Sequence, residues 1–214
     1  MFEKKIAFIG ETGAGKTELS LHVLQRERAS GGQGNLVHTL PADSPALATM
    51  AAVTDEAGIS LLSMLQLRES SEIPDEDPSR AVVFDIESAP SALASVSAYL
   101  KTHPAARADM RVYYVLNARL SETGTAEQIQ ASVLGMQEQL DTGIDGIINN
   151  TNCGRATVWA DVLAGAHMAD HVSRALDIPL FGTSGTFGNL FNAAHQFSPR
   201  PTGALIPISA FCLS

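Results

Sequence analysis

Near its amino terminus the sequence reads Gly10-Glu11-Thr12-Gly13-Ala14-Gly15-Lys16-Thr17, which fits the pattern G-x-x-x-x-G-K-[ST] at every fixed position. The apolar run at residues 6–9 comes directly before it, and residues 18–28 have the composition of a helix. A strand, a glycine-rich loop and a helix in this order are the context in which the pattern forms a phosphate-binding loop. The stretch therefore predicts a P-loop.

Each part of this octapeptide has a physical role in binding phosphate. Glycines at positions 10, 13 and 15 allow backbone conformations that a Cβ atom forbids, so successive N–H groups can point at phosphate oxygens. The positive end of the following helix strengthens the same field. We expect Lys16 to contact the β- and γ-phosphates and the Thr17 hydroxyl to ligate Mg²⁺. The predicted nucleotide-binding residues here are Gly10, Glu11, Thr12, Gly13, Ala14, Gly15, Lys16 and Thr17.

Length and charge limit the possible classes of protein. With 214 residues, of which 45% are hydrophobic, the chain can form one substantial core, so we interpret residues 1–214 as one domain. Residues 187–214 are expected to form a C-terminal tail that packs on this domain or on a partner. The net charge of −9 argues against bulk nucleic acid or an anionic membrane as the main partner.

Cysteine usage and the terminal sequence suggest a compartment. Cys153 and Cys212 form no C-x-x-C pair and no disulfide framework, which favours a reducing environment. The amino-terminal apolar run is too short for a signal peptide, and no later stretch reaches the length of a membrane span. These features predict a cytoplasmic protein.

Strand-like and helix-like segments alternate along the chain, which predicts a three-layer α/β fold with a mainly parallel central sheet. Residues 59–67 fit either a strand or a buried helical turn, and residues 69–77 are expected to be a solvated acidic loop. The predicted strands are residues 35–40, 80–85, 110–116, 145–149 and 178–181, and the predicted helices are residues 45–54, 91–101, 125–140 and 157–176.

Asp85 ends a hydrophobic run that reads as a strand buried on both faces. A carboxylate at this position of a P-loop protein fixes Mg²⁺ near the P-loop threonine, so Thr17 and Asp85 are the predicted metal residues. The predicted catalytic residues are Lys16, Asp85 and Glu87. Glu87 is a candidate for orienting the attacking water, and Glu11 competes for that task.

Other polar residues follow predicted strands, at the edge where open α/β sheets bind ligands. Asp43 either senses Mg²⁺ or the γ-phosphate, or it caps the next helix, and capping is the favoured interpretation. Asn117 and Arg119 are candidate contacts to phosphate or to a conformational switch, and the alternative for Arg119 is a solvated side chain. His167 and His171 lie four residues apart on a predicted helix, but no third ligand for zinc is suitably spaced.

The loop after the predicted strand at residues 145–149 lies where nucleotide switches read the base. Guanine readers carry N-K-x-D there, whereas this chain has Asn149, Asn150, Thr151 and Asn152. An amide at the last position is a poorer partner than a carboxylate for the two donors of guanine, which favours ATP. Asn149 and Asn152 are therefore predicted base contacts. Thr183 joins them, because residues 182–185 are expected to line the base pocket.

These residues together resemble the ParA/MinD/CobQ-type P-loop ATPases, a branch that includes nitrogenase iron protein and dethiobiotin synthetase. The resemblance covers residues 4–183 and is carried by the P-loop and by the segments at residues 117–129, 146–152 and 161–165. It implies a nucleotide-binding fold, ATP and Mg²⁺ as cofactors, and a protein partner or homodimer.

Two positions differ from that family. Glu11 replaces a lysine that would reach the partner's phosphates in a dimer, and the residues after Asp85 lack the small-residue switch. Both differences argue against a nucleotide-sandwich dimer and against fast hydrolysis. The sequence therefore predicts a slow ATPase that acts as a switch on a partner. The alternatives are a small-molecule kinase or ATP-dependent ligase with an acceptor pocket near Asp43, Glu11 and Arg119, a nucleotide-binding module without hydrolysis, and, least favoured, a GTPase.

Overall fold

The computed structural model describes residues 3–69, 80–196 and 203–208, with side chains omitted at residues 68–69 and 193–196. Within these residues, all the strands belong to one sheet. They are β1 (Lys5–Ile9), β2 (Gly34–His38), β3 (Ser60–Ser63), β4 (Ala81–Asp85), β5 (Arg111–Leu116), β6 (Gly146–Asn149), β7 (Leu180–Gly185) and β8 (Ala204–Pro207). Their spatial order is β3-β2-β4-β1-β5-β6-β7-β8, and every neighbouring pair is parallel.

Helices pack on both faces of this sheet, which confirms the predicted α/β fold. They are α1 (Lys16–Ala29), α2 (Pro45–Glu56), α3 (Met64–Glu69), α4 (Pro90–Thr102), α5 (Pro104–Asp109), α6 (Ala126–Leu140), α7 (Trp159–Leu176) and α8 (Phe187–Gln196). In the part of the chain that the structure describes, no helix is long and apolar enough to cross a membrane.

Alternation along each strand separates the two faces of the core. In β1, Ile6 and Phe8 join the apolar cluster under α1 and α2, whereas Ala7 and Ile9 join the cluster formed with α3 to α7. All of these strand residues are completely buried. A strand covered on both faces needs a continuous apolar run, which is why β1 and β4 were recognisable in the sequence.

The P-loop lies at the carboxyl end of a central strand. Strand β1 lies between β4 and β5, and the chain turns from β1 towards β2 on one side before β5 continues on the other. Ligands of open α/β sheets bind at such a reversal of strand order. The octapeptide therefore lies in the crevice between the loops that follow β4 and β5.

Helix α6 shows how local sequence sets an element boundary. Thr125 is its N-cap: the backbone N–H of Gln128 donates to the Thr125 hydroxyl at 3.3 Å, and the Gln128 side chain accepts from the Thr125 N–H at 3.0 Å. This reciprocal pair satisfies donors that the first turn leaves unpaired. Helix α6 therefore begins one residue after the predicted start at residue 125.

Several elements differ from the sequence predictions. Residues 59–67 contain both alternatives, since β3 is followed directly by α3. Residues 182–185, predicted to line the base pocket after a strand, are the last four residues of β7. The short helix α5 was not among the predicted helices, and the C-terminal tail contributes α8 and β8. Apart from residue 69 in α3, the acidic loop predicted at residues 69–77 lies outside the described residues.

Strand β8 extends the sheet through a close approach of two backbones. A Cβ atom on Gly182 of β7 would lie 2.5 Å from the carbonyl oxygen of Ala204 in β8. The absence of a side chain at position 182 is thus what lets β8 pair with β7. Neither Gly182 nor the proline-containing segment of β8 carried a recognisable strand pattern in the sequence.

Candidate functional site

The P-loop glycines adopt conformations that other residues rarely tolerate. Gly10, Gly13 and Gly15 have φ angles of 144°, 84° and 86°. A Cβ atom on Gly10 would overlap the carbonyl oxygen of Val115, and one on Gly15 would overlap the side-chain amide of Asn150. The glycines therefore permit both the turn of the loop and its close contact with the strands behind it.

Lys16 is buried at the start of α1, with 4% of its surface exposed. Its Nζ donates hydrogen bonds to the carbonyl oxygens of Gly10 and Glu11, each at 3.0 Å. The ammonium group thus lies across the loop, where it offsets part of the negative potential of these two carbonyl oxygens. Phosphate oxygens placed in the loop would offer this cation stronger, charge-assisted hydrogen bonds.

Thr17 and Asp85 come together at the base of the loop. The Thr17 hydroxyl donates to Oδ2 of Asp85 at 2.5 Å, although the two residues belong to α1 and β4. Asp85 is 2% exposed, and its Oδ1 has no hydrogen-bond partner among the described residues. Burial is the main cause that raises the pKa of Asp85 to about 6, and the bond from Thr17 and the charge of Lys16 oppose it.

This pair fits a magnesium ion. Mg²⁺ prefers oxygen ligands and is usually bound through one or two protein oxygens together with substrate phosphates and water. A buried carboxylate oxygen without a partner is costly in an apolar interior, and a nearby cation removes that cost. Thr17 and Asp85 would hold the ion, which would neutralise charge on the phosphates.

Two loops that follow β2 and β4 contact each other beside this pair. The Glu87 N–H donates to the Thr39 hydroxyl at 2.8 Å, and the hydroxyls of Thr12 and Ser88 are 3.2 Å apart. The loop after β4 is thereby hydrogen-bonded both to the P-loop and to the loop after β2. The Glu87 side chain is half-buried next to Asp85.

Asp43 does not cap α2. The N-cap residue is Ser44, whose side chain makes no capping hydrogen bond, and Asp43 is exposed in the loop after β2. The favoured interpretation of Asp43 as a helix cap is thus wrong. Pro45 at the first helical position explains the start of α2 instead, because its ring fixes a helical φ angle and its missing N–H is not needed there.

Glu11 is bound to α6 rather than directed at the loop. The Ser132 hydroxyl donates to Oε1 of Glu11 at 2.6 Å, and the Tyr114 hydroxyl donates to Ser132 at 2.8 Å. Burial raises the pKa of Tyr114, which keeps its hydroxyl protonated as a donor. The Glu11–Ser132–Tyr114 chain therefore links the P-loop to β5 and α6.

Asn149 and Thr183 lie inside the protein. The Asn149 amide donates to the carbonyl oxygen of Val162 at 3.1 Å and to the Thr183 hydroxyl at 3.5 Å. Its Oδ1 accepts from the N–H and the hydroxyl of Thr151. With these bonds made, Asn149 has no free polar atom for a base, and its contacts join the ends of β6 and β7 to α7.

Asn117, Asn150 and Asn152 make hydrogen bonds around the loop after β6, and the bond from Asn150 connects this loop to the P-loop. The Asn150 amide donates to the carbonyl oxygen of Ala14 at 2.8 Å, and the Asn117 amide donates to that of Asn152 at 3.1 Å. Asn152 is half-buried, and its amide donates to the Asn150 carbonyl. Asn150 is the residue that the sequence interpretation missed as a P-loop contact, because only the fold brings position 150 to position 14.

Arg119 forms an ion pair that the sequence did not predict. Its guanidinium group donates to Oδ1 of Asp161 in the first turn of α7, while Oδ2 of Asp161 accepts from the Val158 N–H at 3.0 Å. These bonds hold the pKa of Asp161 below its ordinary value, the one from the Val158 backbone most of all. Arg119 is thus exposed, as the solvated alternative held, and it also pairs with Asp161, a contact that neither alternative included.

Next to the loop after β6 lies an apolar cluster at the start of α7 and α8. Trp159, the single tryptophan of the chain, is half-buried and packs against Val162 and Leu190. Phe187, at the start of α8, is exposed. His167 and His171 belong to no cluster of three or more metal-ligating groups in the described residues. Cys153 is an exposed free thiol, and Cys212 lies outside the described residues.

Solved structures share this fold. The cell division protein FtsY of Thermotoga maritima has a TM-score of 0.55 at 15% identity, covering 86% of this chain and 62% of that protein. The signal recognition particle 54 kDa protein of Aeropyrum pernix, in complex with GDP, gives 0.53 at 16% identity, covering 88% and 43%. FlhF in complex with GTP and Mg²⁺ gives 0.57 at 14% identity, covering 86% and 67%.

The chain therefore spans less than two thirds of the FtsY and signal recognition particle proteins. No protein-family profile matches the sequence, and no curated protein sequence matches it either. At these levels of identity the likeness shows a shared fold alone.

Proposed function

We propose that the protein binds a nucleoside triphosphate with Mg²⁺ in its P-loop, hydrolyses it slowly and acts as a switch on a partner. The observation that carries this proposal is the pair formed by Thr17 and Asp85 at the base of the loop, where one buried carboxylate oxygen has no partner among the residues that the structure describes. The P-loop nucleotide-binding fold shared with FtsY and FlhF supports it.

ATP is the proposed nucleotide. The four residues at positions 149–152 include no carboxylate, and the amides of Asn149 and Asn150 are engaged within the fold. A carboxylate accepts hydrogen bonds well from the two adjacent donors of guanine, and residues 149–152 contain no carboxylate. The half-buried Asn152 is the proposed base contact. The proposed class of protein is the ParA/MinD/CobQ type.

Hydrolysis would depend on a small group of residues. The Lys16 ammonium and the loop N–H groups stabilise negative charge that develops on the transferred phosphoryl group. Glu87, half-buried next to Asp85, is the proposed residue that orients the attacking water. Glu11 is engaged with Ser132, so its role would be to fix the loop rather than to activate water.

The switch would act through the loops after β2 and β4. A γ-phosphate between Thr12 and Glu87 would compete for the hydrogen bonds that join these loops, which are Thr39 to Glu87 and Thr12 to Ser88. Binding and hydrolysis would then alter the surface formed by both loops. A protein partner, or a second copy of the chain, would read that surface.

Calorimetric titration of ATP, GTP and ADP in EDTA and in Mg²⁺, followed by phosphate release, tests the proposal. We compare the wild type with Lys16→Ala and with Lys101→Ala, a matched control whose exposed lysine lies on α4 and pairs with Asp141. Loss of the charge-assisted bonds of Lys16 should weaken binding about 10- to 100-fold. Lys101→Ala should bind as the wild type does.

The outcomes separate the candidate functions. Selective ATP binding with slow phosphate release supports the switch ATPase, and GTP selectivity would overturn the proposed base preference. Binding without release would favour the acceptor-dependent kinase or the inert module, which differ because only the kinase turns over when an acceptor is supplied. Absence of nucleotide binding by the wild type would refute the central proposal.

A further inference from the structure

His38 is a second buried polar residue at the metal end of the sheet. It is the last residue of β2, and it pairs in register with Asp85, the last residue of β4. Only 4% of its surface is exposed. Within the described residues, its Nδ1 atom has no hydrogen-bond partner, as is true of Oδ1 of Asp85.

Both side chains project from the same face of the sheet. Two residues before them, Leu36 and Val83 belong to the apolar cluster under α1, whereas Val37 and Phe84 belong to the cluster on the opposite face. Because side chains alternate along a strand, His38 and Asp85 both face α1, the helix that carries Thr17. The imidazole is therefore the lateral neighbour of the carboxylate.

Buried polar atoms without partners on neighbouring strands are destabilising. A native protein rarely leaves two such groups together. A water molecule satisfies both if it has two or more polar partners, and an imidazole nitrogen serves as donor or acceptor according to its tautomer. Magnesium ions bound near phosphates keep several of their own waters.

We propose that His38 is a positioning residue of the magnesium site: with Oδ1 of Asp85 it hydrogen-bonds a water of the ion's hydration shell. This inference rests on the proposed function and names a residue that acts on the ion without ligating it. Outer partners of this kind change metal affinity by about 10- to 100-fold when they are removed. His38 thereby makes the loop after β2 part of the response to the ion.

The test uses three substitutions of His38 and one matched control. His38→Leu removes the polar group, His38→Asn places an amide near the position of Nδ1, and His38→Gln places one near the position of Nε2. The control is His22→Leu, because His22 on α1 also has a buried ring nitrogen without a partner in the described residues but is not paired with Asp85.

Electron paramagnetic resonance of free Mn²⁺ measures metal affinity of the nucleotide-bound proteins, with ATP and GTP as probes, and calorimetry in EDTA measures nucleotide affinity without metal. For His38→Leu and His38→Gln we expect Mn²⁺ affinity to fall about 10-fold or more. Affinity in EDTA should stay unchanged, because the P-loop holds the phosphates. His38→Asn and His22→Leu should bind Mn²⁺ as the wild type does.

Two results overturn the role of His38: wild-type Mn²⁺ affinity in both His38→Leu and His38→Gln, or an equal loss in His22→Leu. The polar Asn and Gln variants keep the test decisive if His38→Leu fails to fold. Failure of the proposed function looks different, since the wild type would then bind no nucleotide in either buffer. Nucleotide binding with unchanged Mn²⁺ affinity refutes the role of His38 alone.

Discussion

Burying the ionised carboxylate of Asp85 is costly, and protonation removes that cost. Its pKa lies near 6, above its ordinary value of 3.8, so the folded protein binds this proton more tightly than the unfolded chain does. The stability that this proton contributes is fully present below pH 3.8 and is lost as the pH rises through about 6. At neutral pH and without metal, the ionised carboxylate therefore destabilises the fold, by about 3 kcal/mol at most.

Asp85→Asn should remove this destabilisation together with metal binding. In EDTA at pH 8, we expect the variant to be more stable than the wild type by up to about 3 kcal/mol, and below about pH 3.8 the two should differ little. Urea unfolding at both pH values measures the difference. The exposed Asp43→Asn is the control and should change neither value. An equal gain at both pH values would contradict the role of ionisation.

At the scale of single residues, the sequence predicted those site residues that are recognised from the residues next to them in the chain. The octapeptide at residues 10–17 and the aspartate that ends an apolar run are local patterns, and the fold brings Thr17 and Asp85 into contact. Partners such as Ser132 for Glu11 are set by packing of distant segments. No spacing in the chain indicates them, because hydroxyl and carboxylate groups are common on helix surfaces.

The loop after β6 supports the P-loop from behind. Its buried Asn150 donates to the Ala14 carbonyl and accepts from the Ser184 hydroxyl, so one side chain connects the P-loop, β6 and β7. Gly15 allows this contact, since a Cβ atom there would overlap the Asn150 amide. The shape of the P-loop thus depends on an element 136 residues away, a separation that follows from the parallel topology.

Asn150→Ala should loosen this support. Removing the side chain leaves the buried Ala14 carbonyl unpaired, so we expect a loss of about 1–3 kcal/mol in the free energy of unfolding and a clear loss of nucleotide affinity. Urea unfolding and calorimetry measure the two effects. Asn152→Ala changes a half-buried amide in the same loop and should cost less stability. Equal losses of stability in both variants would argue against the Asn150 contact.

At the scale of elements, the sequence was informative for long periodic helices and for buried strands. Helices α4, α6 and α7 and strands β4 and β5 lie within two residues of the predicted bounds. Residues 59–67 were ambiguous because a four-residue strand and a six-residue helix follow one another without a turn residue between them. Such short apolar segments show no distinguishing period.

At the scale of the whole molecule, the edge strand β8 is less protected than the central strand β1. Strand β8 lies at one edge, is four residues long and ends in a proline, whereas β1 is covered by strands on both sides. Short edge strands with proline limit pairing with other chains. Of these two strands, we therefore expect amide hydrogen exchange to be fast in β8 and slow in β1, because a short edge strand opens more readily than a buried central strand.

Gly182→Ala should detach β8 from the sheet. The added methyl group would lie 2.5 Å from the Ala204 carbonyl oxygen, so β7 and β8 would have to separate. Thermal unfolding and hydrogen exchange should show lower stability and loss of protection confined to β7 and β8. Gly135→Ala on α6 is the control, because nothing lies within 4 Å of its added methyl, and it should stabilise by about 0.5–1 kcal/mol. Equal effects would refute the steric argument.

Trp159 gives the molecule a built-in optical probe. It is the single indole of the chain, it begins α7 directly after the loop that contacts the P-loop, and it is half-buried against Leu190. Indole emission shifts with the polarity around the ring. A nucleotide that reorders this loop would thus change the intrinsic fluorescence, and stopped-flow mixing could follow loading and release in real time without any label.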